Sequence, residues 1–269
     1  MHADCTSHKH PYTAAYTLIE IAVVLVIIGV LAGGVLVGRS LLREAALQSV
    51  ASDIQRFKTA IIAFKVKYNC LPGDCSNATD FFGTDPYGCP RGGGPTGTCN
   101  GNGDGYISLL DVYPLFYERY RSWQQLAYSG LIQGTYTGVS GGGPDWVALV
   151  GVNTPASTGV GGGGYMLTYM GYYNYQPDAV FVLDYGHAIL FGAQKANDIN
   201  STPVLTTQEA IAIDSKVDDG LPGTGHVIGF PQGSYLAPNC STTSDATTSI
   251  YDLSQTGKQC PLYFLMQEF

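Results

Sequence analysis

The residues best spaced for chemistry lie in a twelve-residue segment that begins at Asn100. Oxygen-bearing residues occupy its first, third and fifth positions, a glycine its sixth and a carboxylate its twelfth, which is the spacing of a calcium-binding loop. The predicted ligands are the side chains of Asn100, Asn102, Asp104 and Asp111 and the backbone oxygen of Tyr106. Because the segment offers only two carboxylates, we expect weak calcium affinity, about 0.1–1 mM. The alternative is a turn rich in asparagine and glycine that needs no ion.

A second acidic group, Asp214, Asp218 and Asp219, lies at the end of a predicted helix. Three carboxylates at one place could hold a cation, and negative charge is unfavourable at a helix C-terminus. The simpler interpretation, which we favour, is a solvated helix end that stops at Gly220 in the left-handed conformation.

Few residues have the spacing that catalysis requires. His187 and His226, the histidines beyond the N-terminal region, belong to no His-Glu-x-x-His sequence. No Cys-x-x-Cys sequence is present, and no serine lies in a nucleophile elbow between a predicted strand and a predicted helix. The sequence therefore predicts a protein that is not an enzyme.

The longest apolar segment lies near the N-terminus. Ile21–Gly38 carries no charged residue, and Glu20 stands immediately before it. With its flanks this segment is long enough to cross a bilayer as a helix. A carboxylate at such a position is costly in hydrocarbon, so we interpret Glu20 as functional. The polar leader, residues 1–15, precedes the apolar segment, whereas a secretory signal would place its cleavage site after that segment.

The sequence from Ala15 to Glu20, Ala-Tyr-Thr-Leu-Ile-Glu, followed by this segment resembles the class III leader of the type IV pilin superfamily, which includes the type II secretion pseudopilins. The resemblance implies cleavage between Ala15 and Tyr16 by prepilin peptidase and methylation of the new amine. It also implies that Glu20 pairs with the N-terminal ammonium of a neighbouring subunit during assembly. Such pairing would neutralise a carboxylate in lipid and fix the axial register. The family usually has glycine before the cut, where this chain has Ala15.

The chain after Gly38 changes from continuous to periodic hydrophobicity, which predicts an amphipathic helix. Apolar residues recur every three or four positions up to a stop at Cys70-Leu71-Pro72-Gly73, and they include Leu41, Leu42, Ala45, Val50, Ile54, Phe57, Ile61, Phe64 and Tyr68. We predict one helix from about Tyr16 to Tyr68, roughly 80 Å long. The predicted parts are a leader (1–15), a transmembrane and fibre-core half-helix (16–38), an amphipathic half-helix (39–69) and a globular head (70–269).

The head is expected to combine helices with antiparallel strands. Residues Cys75–Asn102 read as a loop, and helices are predicted from Tyr113 or Leu115 to Leu131 and over Thr207–Val217. The predicted strands are Trp146–Val152, Tyr165–Tyr172, Ala179–Asp184, Ala188–Gln194 and Leu262–Met266, with a hairpin turn at Asp184–His187. The fold class is therefore α+β, a pilin-like long helix packed on an antiparallel sheet.

Composition narrows the classes of function. The formal net charge is -8, and the chain contains 35 glycines, 19 tyrosines and 13% charged residues. Nucleic-acid binding needs a basic face, so it is not expected. Removal of the leader with Cys5 would leave six cysteines, an even number that suits the periplasm or cell exterior. Their order suggests three local pairs, although six cysteines allow fifteen connectivities: Cys70–Cys75, Cys89–Cys99 and Cys240–Cys260.

Together these features predict a structural subunit of a type IV pilus-like filament. Its expected partners are other pilins in a homo- or hetero-oligomer, prepilin peptidase, the inner-membrane assembly platform and the membrane itself. The precursor would reside in the bacterial inner membrane and the mature chain in a periplasmic or surface filament. The alternatives are a type II secretion pseudopilin, a plain signal anchor, and an uncleaved, membrane-anchored periplasmic binding protein or enzyme.

Overall fold

The computed structural model describes residues 17–89, 92–108, 118–142, 147–174 and 178–266. The chain divides into two compact units, Met1–Glu44 and Ala45–Phe269. The second unit contains the C-terminal part of the long helix as well as every β-strand of the described residues. The four predicted parts of the chain stay predictions.

The long helix α1 (Leu18–Tyr68) confirms the prediction of one helix from about Tyr16 to Tyr68. No proline interrupts it. It ends where Asn69 adopts a left-handed backbone, with φ at 57°. Asparagine tolerates this conformation better than most residues, and the proline at position 72 prevents any continuation.

The C-terminal part of α1 supplies one side of the head's core. Its buried apolar residues, each at most 3% exposed, recur every three or four positions: Leu47, Val50, Ile54, Phe57, Ile61 and Phe64. Leu41 and Leu42, which the periodic pattern placed on the same face, are instead 65% and 74% exposed. The buried face therefore begins later than predicted.

The core of the head joins α1 to the sheet through aromatic rings. The Phe57 ring lies 4.9 Å from Trp123 and 5.1 Å from Tyr165, both in edge-on geometry. The Tyr165 hydroxyl donates to Asp53 Oδ2 at 3.0 Å, so the buried polar atoms of this contact are paired. This packing confirms the predicted arrangement of a helix on an antiparallel sheet.

Four strands form the main sheet, in the order β1 (Gly163–Tyr169), β4 (His187–Ala193), β6 (Leu262–Met266) and β5 (Val227–Ile228). All neighbours are antiparallel. A separate two-stranded sheet pairs β2 (Tyr172–Tyr173) with β3 (Leu183–Asp184). The terminal strand Leu262–Met266 agrees with the prediction, and β4 agrees to within one residue at each end.

Several strand predictions are wrong. The Asp184–His187 turn does not close a hairpin, because β4 pairs on its two edges with β1 and β6 and leaves no edge for β3. The predicted strand Tyr165–Tyr172 is split near Gly171, whose φ of 57° breaks the extended backbone. Of the predicted strand Ala179–Asp184, only the last two residues pair. The short strand β5 was not predicted.

The predicted strand Trp146–Val152 is also wrong where the structure describes it, since Trp146 lies outside the described residues. Residues 147–149 have no regular structure, and the chain then enters a turn at 151–153, across which Val150 bridges to Thr154. The Leu149 amide donates to Asn153 Oδ1 at 2.7 Å, and the Val152 amide donates to the Leu149 carbonyl at 3.0 Å. The asparagine side chain thus supplies the partner that a neighbouring strand would have offered.

Capping residues set the bounds of the shorter helices. The helix α4 (Thr207–Val217) matches the prediction, and Thr206 and Glu209 form a reciprocal capping box at its start. The helix α3 (Glu118–Tyr128) ends three residues before the predicted Leu131, because Gly130 adopts a φ of 76°. The Leu131 amide then bonds back to the Leu126 carbonyl, as in a Schellman motif. The predicted start of α3 lies outside the described residues.

A further short helix, α2 (Ala78–Phe82), lies in the segment predicted to be all loop. The three cysteine pairs are disulfide bonded as predicted. Their Cα–Cα distances are 5.2, 5.6 and 5.0 Å for Cys70–Cys75, Cys89–Cys99 and Cys240–Cys260.

Candidate functional site

The start of α1 is organised by Thr17 and Glu20. The Thr17 amide and hydroxyl both donate to Glu20 Oε2 at 2.8 Å, and the Glu20 amide donates to Thr17 Oγ1 at 3.3 Å. This is a capping box, which satisfies amides that a helix start leaves without partners. It holds the Glu20 carboxylate at the very end of the apolar helix. Ala15 and Tyr16, the predicted processing residues, lie outside the described residues.

The described large apolar side chains of the first unit are exposed. Those between Leu18 and Val37 are at least 47% exposed. By length and composition α1 can cross a membrane, with a mean hydropathy of 2.9 over its most apolar window. A Cβ placed on Gly29, Gly33 or Gly34 would meet nothing within 4 Å. No close contact with a described residue of the first unit therefore requires glycine at these positions.

In the second unit, the predicted calcium loop is folded around Asp74, a residue that the sequence analysis missed. The amides of Gly103 and Asp104 donate to Asp74 Oδ1 at 2.7 and 3.1 Å, and the Gly105 amide donates to Oδ2 at 3.0 Å. Burial raises the pKa of Asp74 to about 6, against the opposing effect of these amides. The only sequence signal was its place in the turn between Cys70 and Cys75.

A second carboxylate holds the same loop from the α3 side. Glu118 accepts from the Asn102 amide at 3.1 Å and from the Ser108 amide at 3.4 Å. Gly73 lets the turn between Cys70 and Cys75 approach α3, since a Cβ on Gly73 would lie 2.2 Å from the Glu118 carbonyl oxygen. The loop is therefore fixed by bonds from its own backbone to two acidic side chains.

Of the five predicted calcium ligands, four lie in the described residues. Asn102 and Asp104 are in contact, with Asn102 Nδ2 donating to Asp104 Oδ2 at 2.7 Å. Asn100 Oδ1 instead accepts from the Thr79 amide of α2 at 2.8 Å. The Tyr106 amide donates to Asp104 Oδ1 at 2.9 Å. Asp111 lies outside the described residues, so calcium binding at this loop stays a prediction.

The acidic group after α4 brings one oxygen from each of Asp214, Asp218 and Asp219 to within 4.8 Å of the others. Gly220 has the predicted left-handed φ, 78°. The expectation of a solvated helix end is wrong for Asp214, which is fully buried and accepts from the Tyr251 hydroxyl at 2.8 Å. Burial raises the pKa of Asp214 to about 7. A cation could satisfy these carboxylates, although each already accepts hydrogen bonds.

The two histidines of the head make contacts within the fold. His187 Nε2 accepts from the Ile107 amide at 3.2 Å, and burial lowers the pKa of His187 to about 4. His226 Nδ1 lies 3.4 Å from Asp218 Oδ1 beside β5. Neither arrangement matches a nucleophile with an adjacent base.

Comparison with known proteins gives one family match, which lies on the N-terminal segment described above. No curated protein and no solved structure matches the chain. A family model, the prokaryotic N-terminal methylation motif, matches residues 11–36. This stretch includes Ala15, Tyr16, Glu20 and most of the exposed apolar segment. The match points to a structural, non-enzymatic role and to membrane anchoring of a precursor. Residues 11–36 thus carry a prepilin-type motif, which supports a pilin- or pseudopilin-type function.

Proposed function

We propose that this chain is a structural subunit of a type IV pilus-like filament. It is made as a membrane precursor, cut by prepilin peptidase between Ala15 and Tyr16, and assembled with other pilins through α1. The observation that carries this proposal is the coincidence of the methylation motif at residues 11–36 with an apolar helix surface that its own unit leaves exposed.

The exposed surface favours two environments, and both are apolar. In the precursor, the side chains of Ile21–Val37 face lipid; in a filament, the same side chains pack against other copies of the helix. Large contiguous apolar patches on a chain indicate interaction with a membrane or another protein. One surface therefore serves storage and assembly, and an inner-membrane assembly platform moves the subunit between them.

The charge of Glu20 favours docking of a neighbouring subunit at the start of α1. A carboxylate inside lipid is penalised, and an approaching ammonium from the cleaved N-terminus of a neighbour neutralises it. The capping box with Thr17 supports this role, because it fixes the carboxylate at the helix end, where the neighbour's terminus would have to arrive.

The alternatives predict different cellular locations for the chain. A type II secretion pseudopilin would remain in the cell envelope at native expression, and its deletion would block secretion of exported proteins. The head, which with the C-terminal part of α1 spans Ala45–Phe269, is larger than a compact pseudopilin needs and favours the pilus subunit. An uncleaved periplasmic binding protein would retain residues 1–15 and leave the membrane fraction as a monomer after extraction.

The test is a comparison of Glu20→Gln, Glu20→Leu and Glu44→Gln expressed at native level. Glu44 is an exposed glutamate of the same helix but lies outside the motif. We expect both Glu20 variants to reach the membrane and to fall at least about tenfold in the sheared surface fraction, while Glu44→Gln behaves like the wild type. Normal filament yield from the Glu20 variants would reject the proposed assembly role.

A further inference from the structure

At one end of the main sheet, the second unit contains a pocket to which the predicted calcium loop contributes Gly105 and Tyr106 and which the N-terminal motif does not explain. It lies where β1 ends and β4 begins, and its volume is about 610 Å³. This size lies within the range of small-molecule and side-chain binding pockets. The residues that give it chemical character are Tyr106, Tyr169, Asp184 and His187.

The aromatic wall of the pocket is held in place by the backbone. The Tyr106 ring lies 4.2 Å from the Tyr169 ring, and the Tyr169 ring lies 4.9 Å from His187. The Ile107 amide donates to His187 Nε2, and Ser108 pairs with Tyr169 in an isolated bridge. The segment that carries Tyr106 is therefore fastened to both β1 and β4. Tyr106 nevertheless stays 45% exposed, so its ring is available to a ligand.

Asp184 is the one acidic side chain among the described lining residues, while the Lys58 ammonium, which is not one of them, donates to the backbone oxygen of the lining Leu265 at 2.9 Å. Asp184 is exposed, and its Oδ1 accepts from the Gly186 amide at 3.0 Å, which orients the carboxylate at the turn between β3 and β4. The negative charge of Asp184 contributes, after burial and Tyr106, to a raised pKa of the Tyr169 hydroxyl. His187 is neutral at pH 7, since burial and the nearby Lys65 lower its pKa to about 4. Among the described lining residues there is no lysine or arginine.

From this combination we infer that the pocket binds an organic cation, an ammonium or guanidinium group, between the exposed Tyr106 ring, which Tyr169 backs at 4.2 Å, and the carboxylate of Asp184. Aromatic faces attract cations through their quadrupole, and a nearby carboxylate adds direct attraction. An anion would find no positive charge among the described lining residues. Two sources share this chemistry: a free alkylammonium compound, and the lysine or arginine side chain of a protein partner.

The test uses the full chain in a non-ionic maltoside detergent and ligand-observed NMR. The probes are tetramethylammonium, its neutral isostere tert-butanol, N-acetyl-lysine methylamide, N-acetyl-arginine methylamide and glucose. We expect at least one cationic probe to bind at least tenfold more tightly than tert-butanol and glucose. Tighter binding of the lysine or arginine probe would assign the site to a partner's side chain, and tighter binding of tetramethylammonium would assign it to a free alkylammonium compound.

Two variants locate the binding. Asp184→Asn keeps the oxygen that accepts from Gly186 but removes the charge, and we expect it to weaken cation binding about tenfold. Tyr106→Leu removes the exposed ring and should weaken it by a similar factor. Asp178→Asn, an exposed aspartate that does not line the pocket, should leave the affinity unchanged.

Thermal unfolding of each variant shows whether it is folded, so that a loss of binding is not mistaken for a loss of structure. The inference is overturned if tert-butanol or glucose binds as tightly as the cations. It is also overturned if folded Asp184→Asn binds them as well as the wild type does.

Discussion

Replacing Asp214 with asparagine should stabilise the head above neutral pH. Asp214 is fully buried, accepts from the Tyr251 hydroxyl and the Gly220 amide, and lies beside Asp218 and Asp219. Burial raises its pKa from 3.8 to about 7. Because the folded state holds the Asp214 proton more tightly than the unfolded chain does, protonated Asp214 contributes to the stability of the fold. This contribution is fully present below about pH 4 and is lost as the pH rises to about 7.

The size of the effect follows from this shift. From 3.8 to about 7 the shift corresponds to at most about 4 kcal/mol. Water near the exposed Asp219 screens the charge of Asp214, so we halve this free energy to about 2 kcal/mol. Asparagine can keep the bond from Gly220, but its amide must donate to Tyr251, whose own hydrogen then loses a partner at a cost of about 1 kcal/mol. The net gain at pH 8 is about 1 kcal/mol, or about 2–4 °C in Tm.

The assay is thermal and urea unfolding of wild type, Asp214→Asn and Asp178→Asn at pH 4, 6 and 8 in EDTA. We expect Asp214→Asn to be less stable than the wild type at pH 4 by about 1 kcal/mol and more stable at pH 8. The difference between variant and wild type cancels the groups that titrate independently of Asp214, whereas Asp218 and Asp219 lie within 4.8 Å of Asp214 and belong to the same effect. A variant that is less stable at every pH would refute the reasoning. Stabilisation of the wild type and Asp178→Asn, but not of Asp214→Asn, when calcium replaces EDTA would instead indicate a cation site at this cluster.

Two further predictions concern the head. Gly159→Ala should lower the unfolding free energy by about 2–3 kcal/mol, because its Cβ would lie 2.1 Å from the Ser49 hydroxyl of α1. Gly161→Ala is the control, since its Cβ would meet nothing within 4 Å. Equal stability of the two variants would contradict the packing of Gly159 on α1. At 10 mM, calcium should raise the unfolding free energy by about 1.4–2.7 kcal/mol if the loop binds it with the expected 0.1–1 mM affinity. Asp104→Asn should abolish this gain, and the same Tm in calcium, magnesium and EDTA would exclude the site.

The parts of the fold that could be predicted are those specified locally. The helix α4 was predicted to the residue because Thr206 and Glu209 form a capping box that is visible in the sequence. The disulfides follow from short separations between cysteines, which bring each pair together with little loop-closure cost. The long helix follows from an uninterrupted apolar pattern without proline.

The parts that were missed depend on residues far apart in the sequence. The hairpin at Asp184–His187 was wrong because β6, more than seventy residues later, takes the edge of β4 that a hairpin would need. Asp74 escaped notice because nothing near it in the sequence shows that three amides from residues 103–105 will converge on its carboxylate. The cation pocket likewise depends on a loop, two strands and a turn meeting at one end of the sheet.

Whether the chain is a processed filament subunit is decided by its intact mass and N-terminal sequence, measured on material from membranes and from sheared surface fractions. We expect the sheared fraction to contain a chain that begins at N-methylated Tyr16 and carries three disulfides. A chain that begins at Met1 and is confined to the membrane fraction would contradict this expectation.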